Sequence, residues 1–171
     1  MIYTEKTMQQ IIAETCGLQN TIIPNVSFAW LNYSESHYDD TTNQYVTEWP
    51  LKGIHHEADL LWINKNDYLT EIEIKINYND FLKDFTKKEN HMTPFTRSIY
   101  YAFPFELYNV KEEDIKSILN EHYSHAGIIV VNPSYSVVVK RPKPQKAMPL
   151  LLNLKLRLLK VGCQKWWKRD I

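Results

Sequence analysis

The sequence predicts a mixed α/β (α+β) domain: a β-sheet flanked by helices, with one added helix at the C-terminus. Three observations lead there. Two apolar-rich stretches, 58–63 and 68–76, stand on either side of the turn residues Asn64-Lys65-Asn66-Asp67 and read as a hairpin. Residues 126–131 form a near-continuous apolar run, as a central strand requires. Apolar residues at helical spacing mark segments before and between these strands. Hairpin strands mixed with helix-separated strands imply a mixed sheet with helices packed around it.

Each element has its own signal. Residues 4–15 read as a helix, with Met8, Ile11 and Ile12 at helical spacing and Gly17 to end it. Residues 25–33, with Val26, Phe28, Trp30 and Leu31, read as a strand. Residues 34–53 are polar and read as a long loop or a weakly ordered hairpin. The hairpin 58–63/68–76 follows, then a short helix over 79–88 that buries Phe81, Leu82 and Phe85. A strand at 98–103 is closed by Pro104. A helix at 111–121 carries Ile115, Ile118 and Leu119 on one face. Asn132-Pro133-Ser134 turns the central strand into a last one at 135–140. Pro142 and Pro144 mark a break, and 146–169 reads as a helix with a polar stripe of Asn153, Arg157, Lys160, Gln164 and Lys168 among leucines. The division is a domain over 1–145 and a basic amphipathic helix over 146–171.

The chain has 171 residues, enough for one domain with one core. No apolar run is long enough to span a bilayer, and the first residues lack the apolar stretch of a signal peptide, which points to the cytoplasm. Cys16 and Cys163 are the only cysteines, so free thiols are expected and a cysteine-rich zinc site is excluded by number. With four glycines there is no glycine-rich phosphate loop. Net charge is zero but unevenly spread. Residues 1–139 carry ten Lys/Arg against nineteen Asp/Glu, a net of −9, and residues 140–171 carry ten against one, a net of +9. Such a tail either binds polyanions or docks on its own acidic body. Trp166 and Trp167 among its lysines suit base stacking or a membrane surface, whereas its leucines suit packing on the body or on a partner subunit.

The chemistry concentrates in Glu71-Ile72-Glu73-Ile74-Lys75-Ile76. Side chains alternate along a strand, so Ile72, Ile74 and Ile76 are expected on the buried face and Glu71, Glu73 and Lys75 on the other. Like charges two residues apart on one face lie only ~7 Å apart. Two carboxylates that close repel unless a cation stands near them. Asp59, on the preceding hairpin strand, converges on the same end of the sheet. Asp59 and Glu73 suit a hard cation, Mg2+ or Mn2+, and Lys75 suits orienting a water nucleophile or stabilising developing charge. An exposed acidic sheet face with no chemistry produces the same alternation. His55-His56-Glu57-x-Asp59 admits a transition-metal reading with one histidine ligand at most, because adjacent histidines point in opposite directions. Lys83, Lys87, Lys88 and Arg97 are placed to hold phosphates or to form a solvated surface run, and His91 is a phosphate-binding or proton-transfer group or a plain loop histidine.

Asp59, followed fourteen residues on by Glu73-Ile74-Lys75, resembles the D-(x)n-(D/E)-x-K signature of the PD-(D/E)XK nuclease superfamily, with Ala58 where the name has proline. Glu71 to Lys75, then Asp80-Phe81 and Asp84, together with Tyr100 to Pro104 and Gly127 to Val131, look closest to the MmcB-like DNA repair protein group. The resemblance covers about residues 55–141. It implies a restriction-endonuclease-like sheet and a metal-dependent nuclease that hydrolyses DNA phosphodiester bonds, in DNA repair or processing. By position, Asp59 and Glu73 are its metal ligands and Lys75 its catalytic lysine. Glu14, on the first helix, stands where many such enzymes place an extra carboxylate. Glu71 assists the metal or faces solvent, and Asp80 and Asp84 fix the helix. The alternatives are a nuclease-fold module that binds DNA or a protein without cleaving, and a structural protein with an acidic sheet face. The C-terminal helix is the surface for a homodimer or a protein partner, and no membrane partner is expected.

Overall fold

The computed structural model describes residues 3–16, 20–28, 35–48, 56–86 and 93–167. In chain order the elements are α1 (Glu5–Cys16), β1 (Thr21–Ser27), β2 (Glu35–Asp39), β3 (Gln44–Glu48), β4 (Glu57–Ile63), β5 (Leu69–Ile74), α2 (Tyr78–Asp84), β6 (Thr96–Pro104), α3 (Phe105–His122), β7 (Gly127–Val131), β8 (Ser136–Lys140) and α4 (Leu152–Trp167). The main sheet has six strands in the order β1-β4-β5-β6-β7-β8, and β2 and β3 form a separate hairpin. β1, β4 and β5 run antiparallel, β5, β6 and β7 parallel, and β8 antiparallel to β7. The chain is thus a mixed α/β fold, its sheet flanked by helices and extended by a C-terminal helix.

Alternation along the strands divides the core. One face buries Ile22, Leu60, Ile72, Ile74, Tyr100, Ala102, Ile129 and Val131 against Met8, Ile11 and Ile12 of α1. The opposite face is covered in two parts. Ile99, Tyr101, Phe103, Ile128 and Val130 pack under Phe81 of α2 and Tyr108, Ile115 and Leu119 of α3. Ile23, Leu61 and Ile63 pack under Leu154 and Leu158 of α4. β5 lies between these two parts, so its residues on this face sit at a seam between two apolar clusters.

Several boundaries differ from the sequence reading for physical reasons. The first strand begins at Thr21 rather than residue 25 and includes Pro24. It is an edge strand, where proline is tolerated. Residues 35–48 form the hairpin rather than the loop. Helix α3 starts directly after Pro104, six residues earlier than the pattern suggested, and is kinked at Lys111 (φ −121°, ψ 17°). Ile76 and Leu82 are not core residues; they are 38% and 39% exposed. The tail helix starts at Leu152, not 146. Pro149 falls in the preceding stretch, which is extended and tied down by backbone bonds: Lys143 N donates to His125 O, Gln145 N to Arg97 O, Met148 N to Pro94 O and Leu150 N to Asp67 O, at 2.7–2.9 Å. This strap crosses the ends of the sheet where β5, β6 and β7 begin. No helix of the described residues is long and apolar enough to cross a membrane.

Gly127 opens β7 where a side chain has no room. A Cβ there would meet the Tyr100 ring at 2.5 Å and the Lys140 carbonyl oxygen at 2.8 Å. Gly127→Ala is therefore expected to destabilise the fold by about 1–3 kcal/mol. The urea midpoint measures this, and an unchanged midpoint would mean that Tyr100 and β8 yield freely.

Candidate functional site

β5 carries Glu71, Glu73 and then Lys75 on the divided face of the sheet, and Ile72 and Ile74 on the α1 face. The charged row is buried: Glu71 is 0% exposed, Glu73 3% and Lys75 4%. This corrects the expectation of a solvated acidic sheet face, and with it the notion that Glu71 faces solvent. Charged groups this deep need partners, because water is not available to solvate them. Glu71 has His56, whose Nε2 stands 3.0 Å from Oε1 and 3.2 Å from Oε2. Lys75 Nζ stands 3.2 Å from Glu73 Oε2 and 3.1 Å from Asp84 Oδ1. Asp84 Oδ2 in turn accepts a hydrogen bond of 3.0 Å from the Tyr101 hydroxyl.

Asp59 completes the group. The β4–β5 pairing ends at Leu60↔Ile72, and Asp59 is the β4 residue just beyond it. Its carboxylate accepts a 2.7 Å hydrogen bond from the backbone N–H of Ile74. The strand is held at this point by α1. Gln9, fully buried, shares the two N–H groups of its Nε2 among three acceptors within reach, the Asp59 carbonyl at 2.8 Å, Glu5 Oε1 at 2.9 Å and Asn25 Oδ1. Four carboxyl groups, from Asp59, Glu71, Glu73 and Asp84, therefore share this region with one ammonium and one imidazole.

The electrostatics follow from that crowding. Burial pushes the Asp59 carboxyl up to about 6; the Ile74 N–H and Lys75 pull it back, while Glu5 and Asp84 add to the rise. Burial acts to lower the Lys75 pKa, but Glu73, Asp84 and Asp59 outweigh it and hold the amine above the ordinary lysine value. Burial, then the charges of Asp84 and Glu73, push the Tyr101 hydroxyl well above the usual tyrosine range, so it stays a donor.

Asp59, Glu73 and Lys75 are thus brought together by β4 and β5. Glu14 is not brought to them. It is exposed, and it lies nine residues beyond Glu5, half a rotation around α1 from the residue whose charge reaches Asp59. Arg97 lies near the start of β6, five residues before Ala102, whose carbonyl accepts from Lys75 N. It is therefore ~17 Å along the strand from the cluster, stacked over Tyr68 instead. Lys83 is exposed on α2; Lys87, Lys88, His55 and His91 lie outside the described residues. Among the described residues no group of three or more His, Cys, Asp and Glu stands together as a metal-holding set. His56 is committed to Glu71 and Glu57 is exposed, which does not support the histidine-cluster reading. Trp166 packs on the body and donates to Ile22 O at 2.9 Å. The roles missed from sequence are those of Asp84 as partner of Lys75, His56 as partner of Glu71, Tyr101, Gln9 and Glu5. Asp84 had a signal: it falls on the helical stripe of Phe81 and Phe85, where a carboxylate is out of place.

No family model matches the chain, and no curated protein matches it. Among solved structures it is similar to a protein of unknown function from Silicibacter pomeroyi, with a TM-score of 0.53 and 12% identity over 95% of this chain and 88% of that one. At that identity the likeness concerns the fold.

An acid whose pKa rises on folding binds its proton more tightly in the folded chain, so its ionisation costs stability. For Asp59 that cost is absent below pH 3.8, sets in as pH rises and is complete above about 6. Asp59→Asn keeps an acceptor for the Ile74 N–H. It should gain stability over wild type across that window, by about 1–3 kcal/mol at its upper end. Urea unfolding from pH 4 to pH 8 checks this; a difference flat with pH would contradict it.

Proposed function

We propose that this chain is a divalent-metal-dependent, nuclease-like phosphodiester hydrolase acting on DNA, with Mg2+ or Mn2+ held by Asp59 and Glu73. The observation that carries the reading is a buried ammonium among carboxylates at one end of the sheet, in the chain order D…E-x-K, with Lys75 Nζ 3.2 Å from Glu73 Oε2. Membership of the PD-(D/E)XK superfamily, the restriction-endonuclease-like frame, a role in DNA repair or processing and a cytoplasmic location belong to the same reading.

The donor set fits the metal. A hard cation takes one or two carboxylates and keeps several waters. Asp59 and Glu73 supply carboxylates, and the nearby imidazole of His56 is occupied by Glu71. Setting aside Glu71 with its imidazole partner, three carboxyl groups against one ammonium leave a site that favours added positive charge. A divalent cation at that pair would supply water activation and charge neutralisation at a phosphate. The chain's own part is to hold Asp59 by the Ile74 N–H and by Gln9 behind its carbonyl, and to keep Lys75 charged as a donor toward charge developing on phosphate oxygens. In a site shielded from water such a donor is worth more than at the surface.

One observation favours a second reading, a nuclease-fold module that binds DNA or a protein without cleaving. Lys75 already serves as the counter-ion of Glu73 and Asp84, and the described residues contain no set of three His, Cys, Asp or Glu placed to hold a metal ion.

Manganese should raise the melting temperature of wild type by several degrees at saturating concentration. The same addition should leave Glu73→Gln unmoved. With manganese and single- or double-stranded DNA, wild type should cleave and Lys75→Ala should lose at least ~100-fold of that activity. Equal thermal shifts in both proteins would remove Glu73 as a ligand. A Glu73-dependent shift with salt-sensitive DNA binding and no cleavage is the outcome of the second reading.

A further inference from the structure

The hydrolase reading uses Lys75 but does not explain its second carboxylate. Glu73 and Lys75 are two residues apart on one strand face and meet without help. Asp84 comes from another element, α2, and its presence is costly. It is 3% exposed, and it is the last residue of the helix. A carboxylate near a helix C-terminus opposes the dipole, so Asp84 fixes α2 through its bonds to Lys75 and Tyr101 and not through the helix's own ends. Asp80, in the first turn, is the acid that suits the helix, and its N–H is capped by Asn77 Oδ1.

What Asp84 does is grip an amine. One oxygen stands 3.1 Å from Lys75 Nζ and the other takes the Tyr101 hydroxyl at 3.0 Å, so the carboxylate is fixed at both ends. Tyr101 is 0% exposed, and its ring centroid lies 5.7 Å from that of Phe81, which anchors α2 to β6 beside the grip. The Lys75 ammonium also lies 6.0 Å from the Tyr101 ring centroid, on a face that attracts cations.

We propose that Asp84, backed by Tyr101, is the positioning residue of Lys75, holding the ammonium in the site when Glu73 turns to a divalent cation. The second half of that statement rests on the reading above; the first half does not. Two cations beside one carboxylate repel each other, and the repulsion is strong away from water. A lysine whose only partner was Glu73 would be driven out as the metal site filled. An ammonium has three donors, so Lys75 keeps a buried partner in Asp84 while Glu73 is engaged elsewhere. Asp84 is a positioning residue and touches neither metal nor substrate in this scheme.

The test follows Lys75 itself as well as activity. Wild type, Asp84→Asn, Asp84→Glu and Tyr101→Phe are treated with an amine-acylating reagent, with and without manganese, and the Lys75 peptide is quantified by mass spectrometry. Circular dichroism confirms that each variant is folded. Acylation of Lys75 should be slow in wild type. In Asp84→Asn it should rise at least about tenfold, the factor that one charged hydrogen bond carries, and more with manganese than without. Asp84→Glu should restore much of the protection. DNA cleavage by Asp84→Asn should fall ~100-fold while its manganese-induced melting shift persists. If Asp84→Asn does not fold, Tyr101→Phe, which removes one hydroxyl, should give a smaller rise of ~3-fold in the same direction. Lys75 as protected in folded Asp84→Asn as in wild type overturns the proposal, as does full cleavage by that variant. Wild type with neither a manganese shift nor cleavage overturns the hydrolase reading instead, and the acylation result alone then decides whether Asp84 holds Lys75.

Discussion

A strand buried on both faces has no water to give its polar side chains, and β5 with the residue that follows it carries three charged ones. That constraint organises the elements around it. Glu71, Glu73 and Lys75 share the face that is not used by Ile72 and Ile74. Each needs a partner brought from elsewhere in the chain: His56 from the entry to β4 and Asp84 from the end of α2. Pairs of this kind do not stabilise a fold relative to well-packed apolar residues, since desolvation consumes the Coulombic gain. Losing one member, however, strands the other. The cluster is therefore a cost that the two neighbouring apolar groups must offset, and both are substantial, one beneath α2 and α3 and one beneath α4.

The topology explains how the cluster is kept both dry and near the rim. β4 and β5 form an antiparallel hairpin, whereas β5 and β6 run parallel. The end of β5 thus coincides with the start of β4 and the end of β6, and three elements contribute to one small volume. Asp59 enters from β4, Glu73 and Lys75 from β5, Tyr101 from β6. The chain then turns directly into α2, short enough that its last residue still reaches back over the strand it left. On the other side of the sheet Gln9 ties α1 to the Asp59 carbonyl and to Asn25, so the irregular point where Asn25 adopts φ 50° is braced from the helix.

The parts legible in the sequence were those with local signals. The 64–67 turn, the alternation of 71–76 and the apolar run at 126–131 each contain their own pattern, and the mixed sheet follows from their order. What was not legible depends on phase and direction. Glu5 and Glu14 are both acids on one helix; which of them approaches Asp59 depends on how α1 is rotated on the sheet, and Gln9 sets that rotation. Arg97 is close in sequence to the motif helix, but β6 runs parallel to β5, so its start lies at the far end of the sheet. The Glu71–His56 pair joins residues fifteen apart and is not given by the register, which sets Glu71 opposite Leu61; His56 reaches it from just before β4. The start of the last helix was misplaced because its leucine pattern outweighed Pro149, a residue that fits the strap better than a helix interior.

The cations of the basic tail fall in two places: Lys165 of α4 donates to the Asn25 carbonyl, beside the Gln9 amide that contacts the Asp59 carbonyl, whereas those of the strap lie far from the acidic cluster. The tail docks mainly by Leu150, Leu154 and Leu158 on the core, with Lys155–Asp67 as an ion pair to the body. Arg141, Lys143 and Lys146 stay exposed on the strap, at the end of the sheet where β5, β6 and β7 begin. The cluster lies at the opposite end of β5. Exposed charges separated by more than ~8 Å are largely screened at physiological ionic strength, and the length of β5 exceeds that. The overall neutrality of the chain is therefore no measure of the balance inside the site. That balance is local: it is set by Lys75, by the partners of each buried acid and by whatever cation the carboxylates attract.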